Sequence, residues 1–245
     1  MPRRNVQIPT PDGQCPATLH VPDRPGPAVI LYPDAGGARE VMWQMGDRLA
    51  ALGYLTLVPD VYYREGDWKP FDLATAFGDP EERGRLFATM ATLTPNRIDA
   101  DASAFLDFLA HQPEVTGQTV GLTGYCMGGR ISLRVAATHA NRVGAVASFH
   151  GGNLAKSDDP NSPHRLADRI SGVVLVAAAE DDASFPPEQE QLLEQVLTDA
   201  GVRHTIETYP GKHGFAVTDN PTYDEAAAQR HWQALEELYG AHLGI

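Results

Sequence analysis

The stretch TVGLTGYCMGGR, residues 119–130, decides the fold. Its first half is apolar and suits a buried strand, and the sequence from Met127 onward, MGGRISLRVAATHA, has helical spacing. A strand that runs straight into a helix leaves room for one residue at a tight turn. Side chains two positions to either side of that residue would collide, and here both positions, Gly124 and Gly128, are glycine. The apex residue is Cys126. It stands at the end of a strand and faces the first amides of a helix, which favour a thiolate and a developing oxyanion. The segment therefore reads as an elbow built to present a nucleophile, with a buried structural cysteine in a glycine-rich turn as the weaker reading.

Outward from the elbow the same alternation continues. PAVILY (residues 27–32) and YLTLVPD (54–60) precede it as continuous apolar runs, expected of strands buried on both faces. VGAVASFHG (143–151), SGVVLVAAAED (171–181) and RHTIETYP (203–210) follow as further strands. Helical patterns lie between them, near residues 40–52, 79–93, 96–112, 186–201 and 221–240. The N-terminal NVQIPTPDGQCPATLHVP reads as a hairpin about Pro11-Asp12-Gly13. The polar, turn-rich residues 152–169 read as a surface excursion. Strand–helix alternation of this kind predicts an α/β protein, a mostly parallel sheet covered on both faces, in one domain over residues 1–245.

Composition narrows the function. The net charge of -13, from 19 basic and 32 acidic residues, argues against nucleic acid or an anionic membrane surface as a partner. No apolar run of signal-peptide or membrane-spanning length is present. Two cysteines, Cys15 and Cys126, in no metal-binding spacing suggest a reducing cytoplasm, no metal and no disulfide scaffold.

A cysteine nucleophile needs a base, and the base an orienting acid. Downstream of Cys126, the strand at 171–181 runs into Glu180, Asp181 and Asp182, and the last strand is followed by His213 in the glycine-flanked segment PGKHGF. Loops at the carboxyl ends of parallel strands are where open α/β sheets gather their ligands. An acyl-transfer site also needs donors for the oxyanion. The Met127 amide is one candidate, and the Ala35 amide, in the loop PDAGG after the first buried strand, is the other. His150, in SFHGG, also follows a strand and could line the pocket.

With these pieces in order, the chain resembles the dienelactone hydrolase family of α/β hydrolases. The resemblance runs over nearly the whole length and rests on PDAGG, PDVYYREG, GYCMGGR, the acidic loop EDD and GKHGF. It implies an α/β-hydrolase fold and a catalytic triad of Cys126, Asp182 and His213. Asp182 is preferred to Asp181 because Pro186 follows it by four residues, as a proline does in the family. It implies a first-loop carboxylate that modulates the thiol, here Asp34 where the family usually has glutamate. It also implies an arginine that grips a substrate carboxylate, here Arg85, with Arg83 as the alternative. A second such arginine is expected four residues after the histidine, where this chain has Val217. The implied activity is cofactor-independent hydrolysis of a small ester, lactone or thioester, with an anionic substrate admitted by Arg85, in a monomer or homodimer. Two other classes are weighed against it: a binding protein with a disabled site, and a redox-sensing thiol protein linking Cys126 to Cys15.

Overall fold

The computed structural model describes residues 2–244. Eight strands form one sheet in the order β1-β2-β4-β3-β5-β6-β7-β8. They are β1 (Arg3–Thr10), β2 (Gly13–His20), β3 (Ala28–Tyr32), β4 (Leu55–Pro59), β5 (Val120–Tyr125), β6 (Val143–Phe149), β7 (Val173–Ala179) and β8 (His204–Tyr209). β1 and β2 pair antiparallel as the expected hairpin, β2 pairs antiparallel with β4, and every other pairing is parallel. Among the described residues the six α-helices are α1 (Glu40–Ala51), α2 (Pro80–Ala91), α3 (Pro95–Ala110), α4 (Met127–Thr138), α5 (Pro187–Asp199) and α6 (Glu225–His242).

Strand sequence determines which face each side chain serves. In β3, Val29 and Leu31 pack with Met42 of α1 and Trp232 of α6, while Ile30 and Tyr32 pack with Phe105 of α3 and Ile131 of α4. The inner strands are apolar on both faces because both faces are covered. The edge strand β1 is mostly exposed and carries more polar residues. Helix starts follow local chemistry. Asp79 accepts from the Glu81 and Glu82 amides to cap α2, and Asp224 accepts from the Ala227 amide to cap α6.

One expectation needs correction. The segment 152–169 is not simply a surface excursion. Leu154, Ala155, Ser162, His164 and Ala167 are buried, and residues 163–169 form 3-10 turns packed on α4 and α5. Its polar composition serves internal bonds: the Ser162 hydroxyl lies 2.9 Å from both the Lys156 amide and His164 Nδ1.

Parallel pairing makes β3, β5, β6, β7 and β8 end on the same edge. Tyr32 is level with Gly124, Tyr125 with Phe149, and Ala179 with Tyr209. The residues that follow these strands are thereby gathered along one edge of the sheet.

The elbow depends on absent side chains. A Cβ on Gly124 would stand 2.0 Å from the Gly128 carbonyl oxygen, and one on Gly128 would stand 2.3 Å from the Tyr32 oxygen. Both neighbours are backbone and cannot swing away. Gly84, in the exposed middle of α2, has open space around it instead. Gly124→Ala is expected to cost about 3 kcal/mol of stability through overpacking. Gly84→Ala is expected to add about 0.5–1 kcal/mol, the helix preference of alanine over glycine. Urea denaturation of the two variants beside the parent measures both.

Candidate active site

Cys126 has φ 54° and ψ -116°, a strained conformation for a residue with a side chain. Its amide donates to the Phe149 carbonyl at 3.1 Å, which fixes the turn against the neighbouring strand. The side chain is partly exposed, and the thiol is free. Met127 is the first residue of α4, so its amide has no carbonyl to bond within the helix. The Ala35 amide has no acceptor among the described residues. Ala35 itself is held by the Tyr62 hydroxyl, which lies 3.2 Å from its carbonyl oxygen and 3.3 Å from the Met127 sulfur.

His213 follows β8. Its Nδ1 lies 2.7 Å from Asp182 Oδ2. The other Asp182 oxygen accepts from the Ser184 amide at 2.8 Å and the Ser184 hydroxyl at 2.7 Å. Burial works against the Asp182 carboxylate, but His213 and Ser184 outweigh it and hold its pKa below the usual carboxylate range. Burial likewise opposes a charged His213. Cys126 and Asp182 overcome it through charge and hydrogen bonding, and the imidazole is pushed up to about 10. With Nδ1 turned to Asp182, Nε2 is the nitrogen left for Cys126.

The adjacent Asp181 does something else. It has φ 54°, is exposed, and pairs with Lys212 at 2.9 Å. Of the two aspartates that the sequence offers, the buried one meets His213. Ser184, missed in the sequence, explains this: a short side chain two residues on turns back to the carboxylate.

Asp34 is buried in the loop after β3. Its carboxylate accepts from Arg39 Nη1 at 2.6 Å, Arg39 Nη2 at 3.0 Å and the Gly36 amide at 2.9 Å. No hydrogen bond joins it to Cys126 among the described residues. Burial pushes the Asp34 carboxyl up, although Arg39 and Gly36 pull the other way. Asp34, expected to modulate the thiol, is engaged by Arg39.

Arg85 lies on α2, exposed, with its guanidinium 3.8 Å from the Phe71 ring centroid and 2.8 Å from Glu82. Phe71 and Trp68 both stand edge-on to Tyr62, so an aromatic wall connects Arg85 to the Ala35 loop. Arg83 is exposed on the same helix. Val217 is buried in the loop beyond His213.

His150 is also brought to this edge. It is buried at φ 39°, its ring 5.2 Å from that of His213, and neither ring nitrogen has a partner among the described residues. Burial, then the neighbouring His213 and His231, push its pKa well down, so it is a neutral neighbour. Cys15 lies in the core on β2, where burial pushes its thiol up, and it forms no disulfide with Cys126. No group of three or more metal-ligating side chains occurs among the described residues, and none of the helices described is long and apolar enough to cross a membrane.

Because His213 binds its proton more tightly in the folded state than at its ordinary value of 6.5, the sign of the pH dependence follows. The stabilisation is fully present below about 6.5 and is lost as pH rises through about 10. Denaturation midpoints should therefore fall between these limits, and His213→Gln should flatten that fall. Asp182→Asn should lower the His213 inflection seen by NMR, and Asp181→Asn should leave it nearly in place.

Comparison with known proteins identifies the family of the chain. Residues 15–243 match the model of the dienelactone hydrolase family. An Escherichia coli protein named "Putative carboxymethylenebutenolidase" is 30% identical over 229 residues, covering 91% of this chain and 79% of its own. A carboxymethylenebutenolidase of Rhodococcus opacus is 31% identical over 227 residues, 90% of this chain and 83% of its own. A crystal structure from Klebsiella pneumoniae, titled "Putative Dienelactone Hydrolase", superimposes with a TM-score of 0.83 at 26% identity, covering 98% of each chain.

Proposed function

The chain belongs to the dienelactone hydrolase family, and on that premise we propose that it hydrolyses a small carboxylic ester, lactone or thioester through Cys126, His213 and Asp182, without a cofactor. The observation that carries this reading is the His213 Nδ1–Asp182 contact of 2.7 Å, with Cys126 among the groups that hold the proton on the same imidazole.

The steps follow from these positions. The Cys126 sulfur, as thiolate beside a cationic His213, attacks the substrate carbonyl carbon. The carbonyl oxygen takes up negative charge and is met by the Ala35 and Met127 amides. When the tetrahedral intermediate collapses, the bond to the leaving oxygen or sulfur breaks, and His213 gives that atom its proton. A thioester to Cys126 remains. Water then attacks this acyl-enzyme, His213 takes the water proton, and the acid departs as the thiolate is restored. Asp182 keeps the imidazole in the required orientation and stabilises its cation. Residues 1–245 work as one domain in this reading, since the sheet runs from β1 to β8 and α6 packs back onto β6 and β7.

Two observations weigh against the other readings. A pair of redox-linked cysteines would need Cys15 accessible, and it is fully buried. The buried Asp182 paired to His213 supports an intact site over a disabled one.

p-Nitrophenyl acetate provides the test. The parent should release nitrophenol, Cys126→Ala should release none above background, and His213→Ala should lose about 10⁴-fold in kcat with its circular dichroism unchanged. Absence of turnover in the parent across esters, lactones and thioesters would remove the hydrolase reading.

Arg85 carries the anionic side of the proposal. Its partner Glu82 is about as exposed as Arg85 itself, and such surface pairs exchange readily. A substrate carboxylate could replace Glu82 from the Phe71 side. Arg85→Ala is expected to raise KM for an acidic monoester about 10-fold while leaving a neutral ester unaffected. Equal KM values for the acidic ester in both proteins would remove Arg85 from the site.

A further inference from the structure

Arg39 was not singled out by the sequence, yet it makes the densest set of polar contacts near the site. It is the residue that precedes α1, in extended conformation, and it is buried. A guanidinium has five N–H donors. Here all five are used. Nη1 donates to Asp34 Oδ1 at 2.6 Å and to the Gly37 carbonyl at 3.1 Å. Nη2 donates to Asp34 Oδ2 at 3.0 Å and Asp219 Oδ1 at 2.7 Å, and Nε donates to Asp219 Oδ2 at 2.8 Å. A guanidinium so committed has no donor left for a substrate carboxylate.

The two carboxylates belong to different loops. Asp34 precedes Ala35 and, with its Gly36 contact, shapes the loop that offers the Ala35 amide. Asp219 lies six residues beyond His213. Around these residues the Val217 amide bonds the Gly214 carbonyl, the Asn220 amide bonds the Val217 carbonyl, and the Thr222 hydroxyl donates to the His213 carbonyl. Position 219 is thus tied to His213 by short backbone turns. We infer that Arg39 is a positioning residue: by bridging Asp34 and Asp219 it sets the spacing between the oxyanion-binding loop and the histidine loop.

The chemistry favours arginine specifically. Each carboxylate is bound by two parallel N–H bonds, a geometry that the planar guanidinium supplies and an ammonium does not. The Asp34 end is buried and the Asp219 end about half exposed. Removing Arg39 would leave a buried carboxylate without its counter-charge. Removing the Asp219 charge loosens only the outer half of the bridge, so Asp219→Asn separates positioning from folding.

The inference rests on the hydrolase reading for its kinetic readout alone. With p-nitrophenyl acetate, Arg39→Lys should lower kcat about 10- to 100-fold, the scale on which a misplacement near 1 Å acts. KM should move less than about 3-fold, because the loss falls on the transition state. Asp219→Asn should lower kcat about 3- to 10-fold in the same way, with an unchanged circular dichroism spectrum. Two readouts need no turnover: the NMR titration of His213 and the rate of Cys126 alkylation by iodoacetamide in a Cys15→Ala background. Both should shift in Asp219→Asn. An Asp219→Asn protein with the parent's kcat, His213 titration and alkylation rate overturns the inference, as does an Arg39→Lys protein with full kcat. If the parent turns over no ester, the hydrolase reading falls, and the titration and alkylation still decide the role of Arg39.

Discussion

The backbone contact between Gly124 and the first turn of α4 is the constraint on which the site depends. Only where two chain segments lack Cβ atoms can a strand enter a helix this sharply, and only then does the residue between them point away from the sheet. That geometry requires Cys126 to adopt a positive φ, and the surrounding parallel strands over-determine it: its amide is bonded to Phe149, and Gly128 sits against the Tyr32 and Pro33 carbonyls. A rigid sheet edge is thus converted into a single, partly exposed sulfur at the start of a helix.

Charge is arranged around this sulfur by pairing inside the fold. The molecule is strongly acidic as a whole, with a net charge of -13, yet the groups at the sheet edge answer to their immediate partners. Asp182 is held ionised by His213 and Ser184, and His213 is held protonated by Cys126 and Asp182, each against the cost of burial. Asp34 is buried beside Arg39, and Arg39 is shared with Asp219. Two networks therefore flank Cys126. One orients the imidazole, and the other joins the loops that bear the imidazole and the Ala35 amide. Global charge governs distant encounters, whereas at a few ångströms the nearest partner decides the protonation state.

The neutral His150 shows how closely such groups are packed. It sits ring to ring with His213 and carries no hydrogen bond among the described residues, so a proton on it would face both desolvation and a neighbouring cation. The segment 152–169 behaves in a related way. Its polar residues looked like solvent-facing loop, but Ser162 turns inward to the Lys156 amide and the Leu154 carbonyl, and His164 to the Ser162 hydroxyl, while Leu154 and Ala167 fill the core.

What the sequence alone determined was the alternation of elements and the identity of the elbow. Short continuous apolar runs bounded by turn residues read as strands, helical spacing marks the covering helices, and Gly-x-Cys-x-Gly admits few backbone solutions. The order of Cys126, the acidic pair Asp181 and Asp182, and His213 along the chain was legible for the same reason, since each follows a strand and parallel strands end on one edge, and the family resemblance favoured Asp182 through Pro186. What only the tertiary structure decided was partnership. Asp181 and Asp182 are adjacent and chemically alike, and only the turn made by Ser184 separates a surface ion pair with Lys212 from a buried contact with His213. Asp34 and Arg39 are near in sequence, but Asp219 is 180 residues from Arg39. A contact at that separation leaves no local pattern in the chain, because it arises from where β3 and β8 end in space and not from any spacing between residues.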